Sequence, residues 1–263
     1  MSSGTAVGIA VLLPDLLGTY SDRGNAEVLA QRLRWRGIGV EVRTVTATDA
    51  PPDGCELYLV GGGEDAGQRL AADWLRRHPS LRTTLAERAV TLAVCAGMQL
   101  LGTSVTERDG TRYAGLDVLD LHTVPGPRRA LGEVLGRPSL PDVGVVTGFA
   151  NHGGASTLGP GATPFARIVR GPGNGPHHPV DGARSPSAEG PGVVATYLHG
   201  PVLARNPDLA DHLLRRAVGP LPPLDPARVP EQALVRCGYV PAQDRRRGRG
   251  WSAPRPRPSE SPT

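Results

Sequence analysis

The sequence predicts an α/β fold, a mostly parallel sheet with an antiparallel extension, and three observations carry that prediction. Apolar runs alternate with amphipathic helical patterns through the first two-thirds of the chain, as strands joined by crossover helices require. Residues 89–94, Ala-Val-Thr-Leu-Ala-Val, form one continuous core-type run, the mark of a central strand buried on both faces. From about Leu116 the pattern changes to short strand-like runs separated by Gly- and Pro-rich turns, which suits antiparallel strands better than crossovers.

Each element has its own signal. Residues 6–13 read as a first core strand. Residues 24–36 read as a helix, with Leu29 and Leu33 on one face and Gly37 as its stop. Residues 39–45 and 57–60 are the next strands, the latter running into Gly61-Gly62-Gly63. Residues 65–77 are a helix, 89–94 the central strand, and a further helix carries Met98, Gln99, Leu100 and Leu101. The extension comprises strands at 118–123, 130–135, 143–149, 166–169 and 193–197, with 171–192 as a polar loop. A final helix at 206–218 has Asn206 as N-cap and Pro207 at its first position. Residues 219–244 are a proline-rich extension and 245–263 a disordered basic tail, leaving 1–218 as one domain.

Composition narrows the function classes. The chain has 263 residues, 39% hydrophobic but only 4% aromatic, so Val, Leu and Ala must build the core. Its basic residues are all arginine. The net charge is +4, but six Arg and one Glu after Asp244 give the tail +5 and leave the body at −1. A near-neutral body is not the footprint of a nucleic-acid-binding domain. The three cysteines, Cys55, Cys95 and Cys237, are far apart and lack metal-ligand spacing. No segment is long and apolar enough to span a bilayer. These features predict a cytoplasmic protein without a metal of its own.

The chemistry concentrates at three places. Thr91-Leu-Ala-Val-Cys95-Ala96-Gly97-Met98 runs a buried strand into a small-residue turn and a helix, the pattern of a nucleophile elbow. Such a turn lifts a thiol above the carboxyl edge of the sheet, where helix N–H groups face an oxyanion. The competing reading of Cys95 is an inert buried cysteine. Gly61-Gly62-Gly63 ends a strand without P-loop or GxGxxG spacing, so its amides can approach a ligand, and it is a candidate second oxyanion donor. Val194-Ala-Thr-Tyr-Leu198-His199-Gly200 places a histidine late in the chain at a strand end, where a cysteine nucleophile needs a base.

Together these motifs resemble class I, triad-type glutamine amidotransferases with a flavodoxin-like sheet. The match narrows with Leu13-Pro-Asp-Leu-Leu-Gly-Thr-Tyr-Ser-Asp-Arg-Gly-Asn25, Gly-Gly-Gly-Glu64-Asp65, Cys-Ala-Gly-Met-Gln-Leu-Leu-Gly102, Asn151-His152-Gly-Gly154 and Tyr197-Leu-His-Gly-Pro201. Over roughly residues 5–215 the chain resembles the GatD family, relatives of the cobyric acid synthase amidotransferase domain. The resemblance implies Cys95 as nucleophile and His199 as base, with Gly62, Gly63 and Ala96 around the substrate. It implies Arg129 as the group that binds the glutamine carboxylate, with Arg128 competing for that place. It implies a MurT-like Mur ligase partner that uses ATP and magnesium, and ammonia delivery to the D-glutamate α-carboxylate of lipid II at the inner face of the membrane.

The sequence also departs from the family. Glu64 stands where Gln is common, and Gly173-Asn174-Gly175 continues as Pro176-His177-His178-Pro179. Triad-type enzymes carry a carboxylate two residues after the histidine; here that position is Pro201, so the carboxylate is expected from the partner. His152 reads as a pocket wall, and His78, His122 and His212 as surface residues. The alternatives are an amidotransferase serving a cobyrinate-type or other synthetase, a non-catalytic partner-binding scaffold, and a cysteine peptidase of similar fold.

Overall fold

The computed structural model describes residues 6–18, 23–186 and 189–225. The basic tail, most of the proline-rich extension, Cys237 and residues 19–22 of the first motif lie outside the described residues. In chain order, β1 (Val7–Leu12) leads to α1 (Arg23–Arg34), β2 (Val40–Val45), β3 (Leu57–Val60) and α2 (Asp65–Arg77). A short α3 (Ser80–Thr83) and a π turn (Thr84–Arg88) then precede β4 (Val90–Val94) and α4 (Ala96–Leu101). Next come β5 (Ser104–Thr106), β6 (Arg112–Ala114), β7 (Leu121–Pro138), β8 (Val146–Leu158) and β9 (Ala166–Arg170). The chain continues through β10 (Val180–Asp181), β11 (Ala183–Arg184), β12 (Gly192–Thr196), β13 (Leu198–His199), α5 (Val202–Arg205) and α6 (Pro207–Val218).

The first sheet has the order β11-β12-β4-β3-β1-β2. Its five larger strands are parallel and β11 runs antiparallel at the edge. That is the doubly wound order of flavodoxin-like folds, which present ligand sites beyond the carboxyl ends of the strands. Burial explains the arrangement. Every residue of β1, β3, β4 and β12 is buried, as their unbroken apolar runs demand, whereas β2 alternates and lies at the edge. Helix α1 packs Ala26, Leu29, Ala30 and Leu33 inward at helical spacing, and the chain turns at Gly37 with φ +73°.

The antiparallel extension forms a second sheet of its own, ordered β10-β9-β7-β5-β6, with β8 against β7 and β13. The strand expected at 193–197 is not part of it: β12 lies in the first sheet, parallel to β4, because its five residues are all buried as a two-sided strand requires. The two runs expected at 118–123 and 130–135 are one 18-residue strand, β7. Its register shifts between Pro125 and Ala130, a bulge at the point where two prolines cannot donate to the ladder. Strand β8 reaches Leu158 rather than stopping at Phe149, because its glycines are needed for close approach. A Cβ on Gly148 would stand 2.6 Å from Leu198 Cβ, and one on Gly154 2.7 Å from Gln99 Nε2. Within the loop expected at 171–192, fully buried Asn174 clamps the chain by accepting from Gly182 N and donating to Gly182 O.

Asn206 precedes Pro207, but its side chain makes no cap bond. Instead its amide accepts from Thr147 N and donates to Thr147 O, both at 2.8 Å, tying the helix to β8. His212 is buried rather than on the surface, because its Nδ1 reaches Asp142 at 2.7 Å. Among the described residues, no helix is long and apolar enough to cross a membrane.

Candidate active site

The site begins where β4 stops. Cys95 has φ +53° and ψ −111° and is followed at once by α4. Few non-glycine residues adopt a positive φ, and such strain persists only where the surroundings over-determine it. Here they do. Cys95 N donates to Thr196 O at 2.9 Å, fixing the residue against β12, and its carbonyl accepts from Gln99 N at 3.1 Å. Gly97 N donates to Gly61 O at 2.9 Å, and a Cβ on Gly97 would lie 2.3 Å from Val60 O. The elbow therefore requires glycine at 97, and it locks α4 onto the glycine run that ends β3. With the Gly97 N–H engaged in this way, Ala96 N–H becomes the candidate oxyanion donor of the turn.

His199 arrives from the other sheet. The chain leaves the first sheet at Thr196, crosses through Tyr197, and pairs Leu198 and His199 with Ala150 and Phe149 of β8. Asp181 holds this crossing. Its carboxylate accepts from Thr196 Oγ1 at 2.5 Å and Tyr197 N at 3.1 Å, while Leu198 N donates to Thr196 Oγ1 at 3.0 Å. Burial raises the Asp181 pKa to about 6, with those two hydrogen bonds pulling it back down. The Tyr197 hydroxyl joins the two halves. It accepts from Gln99 Nε2 of α4 at 2.9 Å and meets Ser156 Oγ of β8 at 2.7 Å. The network continues to Gln68 on one side and Thr123 on the other.

A pocket opens over the elbow. Cys95, Gly63 and Arg129 line it, with Gln68, Gln99, Glu107, Tyr113 and His152 among the other walls. Gly62 and Ala96 are buried behind this lining, and His199 is 5% exposed and outside it. His199 nevertheless feels the pocket. Burial first, then the positive charges of His152 and Arg129, depress its pKa to about 4. His152 is 2% exposed and stacks on Tyr197 with ring centroids 3.6 Å apart. Its Nδ1 lies 2.8 Å from Gly154 O and its Nε2 3.1 Å from Gly173 O. Two carbonyls favour imidazolium, yet burial prevails and lowers the pKa to about 4. A neutral ring can donate to only one of them.

The two arginines separate cleanly. Arg129 faces the pocket and donates through Nε to Asn151 Oδ1 at 2.6 Å. Arg128 points away, its guanidinium 2.6 Å from His177 Nε2 on the 173–179 loop. Glu64 is exposed at the pocket rim, in the N-cap position of α2. Among the described residues, no three His, Cys, Asp or Glu side chains stand close enough to hold a metal ion. Glu107 and Tyr113 escaped the sequence reading, because the β5–β6 hairpin was not recognised. Its Asp109-Gly110 turn, with Gly110 at φ +86°, was the available signal.

Comparison with known proteins agrees with this geometry. Residues 8–207 match the CobB/CobQ-like glutamine amidotransferase domain. The chain is 31% identical over 231 residues to the GatD subunit of lipid II isoglutaminyl synthase (glutamine-hydrolyzing) of Staphylococcus aureus, covering 87% of this chain and 91% of that protein. It is 31% identical over 215 residues to the subunit of the same name from Streptococcus pneumoniae, covering 81% and 80%. A crystal structure of a glutamine amidotransferase, 18% identical, superposes with a TM-score of 0.52 over 80% of this chain and 98% of that one, which supports the fold.

Proposed function

The chain belongs to the CobB/CobQ-like glutamine amidotransferase family, and from that premise we propose that it is the glutaminase subunit of a lipid II isoglutaminyl synthase, with Cys95 as nucleophile and His199 as base. The observation that carries the reading is the strained Cys95 elbow, set at the floor of a pocket that Arg129 enters.

The chemistry follows from the placement. Cys95 Sγ attacks the side-chain amide carbon of glutamine, and the thiol proton passes to His199. Ala96 N–H and the amides of Gly62 and Gly63 face the oxyanion. His199 then protonates the departing nitrogen, which leaves as ammonia and a γ-glutamyl thioester. A water molecule, deprotonated by the same imidazole, hydrolyses the thioester to glutamate. Arg129 pairs with the glutamine α-carboxylate, a task suited to a planar guanidinium.

The ammonia goes to a MurT-like Mur ligase subunit, which binds ATP and magnesium and activates the D-glutamate α-carboxylate of the lipid II stem peptide. That places the complex in the cytoplasm, at the inner face of the membrane. The GatD relatives support this assignment, being themselves called subunits of that synthase. The partner also supplies the carboxylate that orients His199. Pro201 occupies the usual position, and Asp211 is committed to Arg32 and Arg36. Residues 1–218 are the amidotransferase domain, with 219–244 and 245–263 as appendages.

The test is amidation of lipid II by the reconstituted pair with glutamine labelled in its amide nitrogen. The label should appear in D-isoglutamine, and glutaminase turnover should rise when the partner is added. Glutamine hydrolysis without any transfer to lipid II would refute the substrate assignment. Full glutaminase activity of the lone chain would refute a carboxylate from the partner.

A further inference from the structure

The pocket contains polar chemistry that hydrolysis of an amide does not need. Glu107 and Tyr113 reach it from the hairpin formed by β5 and β6. The Glu107 side chain is only 9% exposed. Its Oε1 lies 3.1 Å from Arg69 Nε, close enough for an ion pair, but makes no aligned hydrogen bond. The Tyr113 hydroxyl is likewise buried and makes no hydrogen bond to the described residues. The two groups sense each other. Burial, and then the negative charges of Glu107 and Asp65, push the tyrosine's ionisation upward. A buried carboxylate oxygen and a buried hydroxyl without aligned donors are costly unless something completes them.

We propose that Glu107 and Tyr113 form the subsite that binds the α-ammonium group of free glutamine. The inference rests on the glutaminase reading above and deepens it by naming the residues that read the amino end of the substrate. An ammonium supplies three donors and no acceptor. It can donate to Glu107 and to Tyr113 Oη at once, which satisfies both atoms. The opposite charge is already in the pocket, because Arg129 is there for the carboxylate. A site with a fixed cation and a buried anion matches a zwitterionic amino acid. It penalises a γ-carboxamide whose α-nitrogen is acylated or absent, because Glu107 Oε1, held only by the unaligned Arg69 contact, and Tyr113 Oη would then stay buried without hydrogen-bond donors. Glu64 and Asp65 also line the pocket but are exposed, and solvated carboxylates discriminate weakly.

The experiment measures binding by calorimetry to the full-length Cys95→Ala chain, which cannot turn substrate over. The probes are L-glutamine and glutaramate, the same amide and carboxylate without the α-amino group. The parent should bind glutamine more tightly than glutaramate by about tenfold or more, the scale of hydrogen bonds to a charged group. Glu107→Gln should remove most of that preference by weakening glutamine while leaving glutaramate unchanged. Tyr113→Phe, which deletes one oxygen and keeps the ring, should reduce the preference in part, and it remains informative if Glu107→Gln fails to fold. An undiminished preference in the folded variants overturns the subsite while leaving the glutaminase reading intact. Failure of the parent to bind glutamine would instead strike the glutaminase reading itself.

Discussion

Substituting Gly97 by alanine adds one carbon at the tightest point of the elbow. That Cβ would stand 2.3 Å from Val60 O, 2.8 Å from Val60 C and 3.0 Å from Gly61 O. The nearest contact is about 0.7 Å inside the 3.0 Å that real Cβ atoms respect. The obstructing atoms are backbone, and β3 is paired on both sides, to β1 and to β4. Nothing there can yield as a flexible side chain would, so α4 must move and carry Cys95 with it. Overpacking of this kind costs about 1–3 kcal/mol of stability. A displacement of about 1 Å at a reacting atom costs on the order of 10²-fold in rate. Urea denaturation and glutaminase kcat/KM, both measured on the assembled pair, should show the two losses together. Gly39→Ala is the control, because its added carbon would meet only Ala6 at an ordinary 3.7 Å. Gly97→Ala with the stability and kcat/KM of the parent would refute the reasoning.

Further expectations follow from the same geometry. Cys95→Ala should abolish glutamine hydrolysis, while the assembled pair still amidates lipid II from concentrated ammonium; residual glutaminase near the parent rate would reject the nucleophile. Arg129→Ala should raise the KM for glutamine about 10- to 100-fold, as loss of a charge-assisted pair implies, whereas Arg128→Ala, which faces His177 instead, should not. In acid, His152 and His199, each with a folded pKa of about 4 against about 6.5 unfolded, let the unfolded chain take up protons first. Their contribution is full above pH 6.5 and is lost as pH falls toward 4, by about 3 kcal/mol each. Asp181, raised to about 6, works in the opposite direction between pH 6 and 3.8 and returns about 3 kcal/mol. Urea midpoints should therefore fall on acidification from pH 7 to 4.5, less steeply than the histidines alone require, and a rising midpoint would contradict the burial of these rings.

Much of the frame was legible because parallel strands announce themselves. A strand buried on both faces has no polar face to disguise it, so β1, β3 and β4 were visible as apolar runs; β12 was legible as a strand, but its position among Gly- and Pro-rich turns assigned it to the antiparallel extension and not to its place parallel to β4. The elbow was legible for a related reason, since small residues directly after such a run have few other uses. The second sheet was harder. Its long strands are interrupted by prolines in β7 and glycines in β8, and those residues normally signal turns. They are tolerated here because the bulge at 126–129 and the close approach of Leu198 and Gln99 are tertiary requirements. Local sequence cannot express either. Buried polar partners were equally hidden. Nothing near Asp181 or Ser156 in the chain reveals that both converge on Tyr197.

That convergence bears on how the site keeps its shape. Cys95 belongs to the first sheet and His199 to the second, so their separation depends on how the sheets are fastened. Tyr197 is the residue between the last strand of one and the short strand of the other. Its backbone N–H is held by Asp181, and its hydroxyl by Gln99 of the helix that follows Cys95 and Ser156 of β8. An apolar contact at this point would tolerate sliding, because hydrophobic burial is non-directional. Directional bonds among buried groups do not, since each displaced donor or acceptor loses its partner in a medium that offers no water. The glycines at 148 and 154 then have a clear purpose, bringing β8 close enough for these bonds to form. A buried acid, a tyrosine and two amides are an expensive way to fill a core, but they fix a distance across two sheets. The proposed pair of Cys95 and His199, drawn from two different sheets, needs that distance fixed.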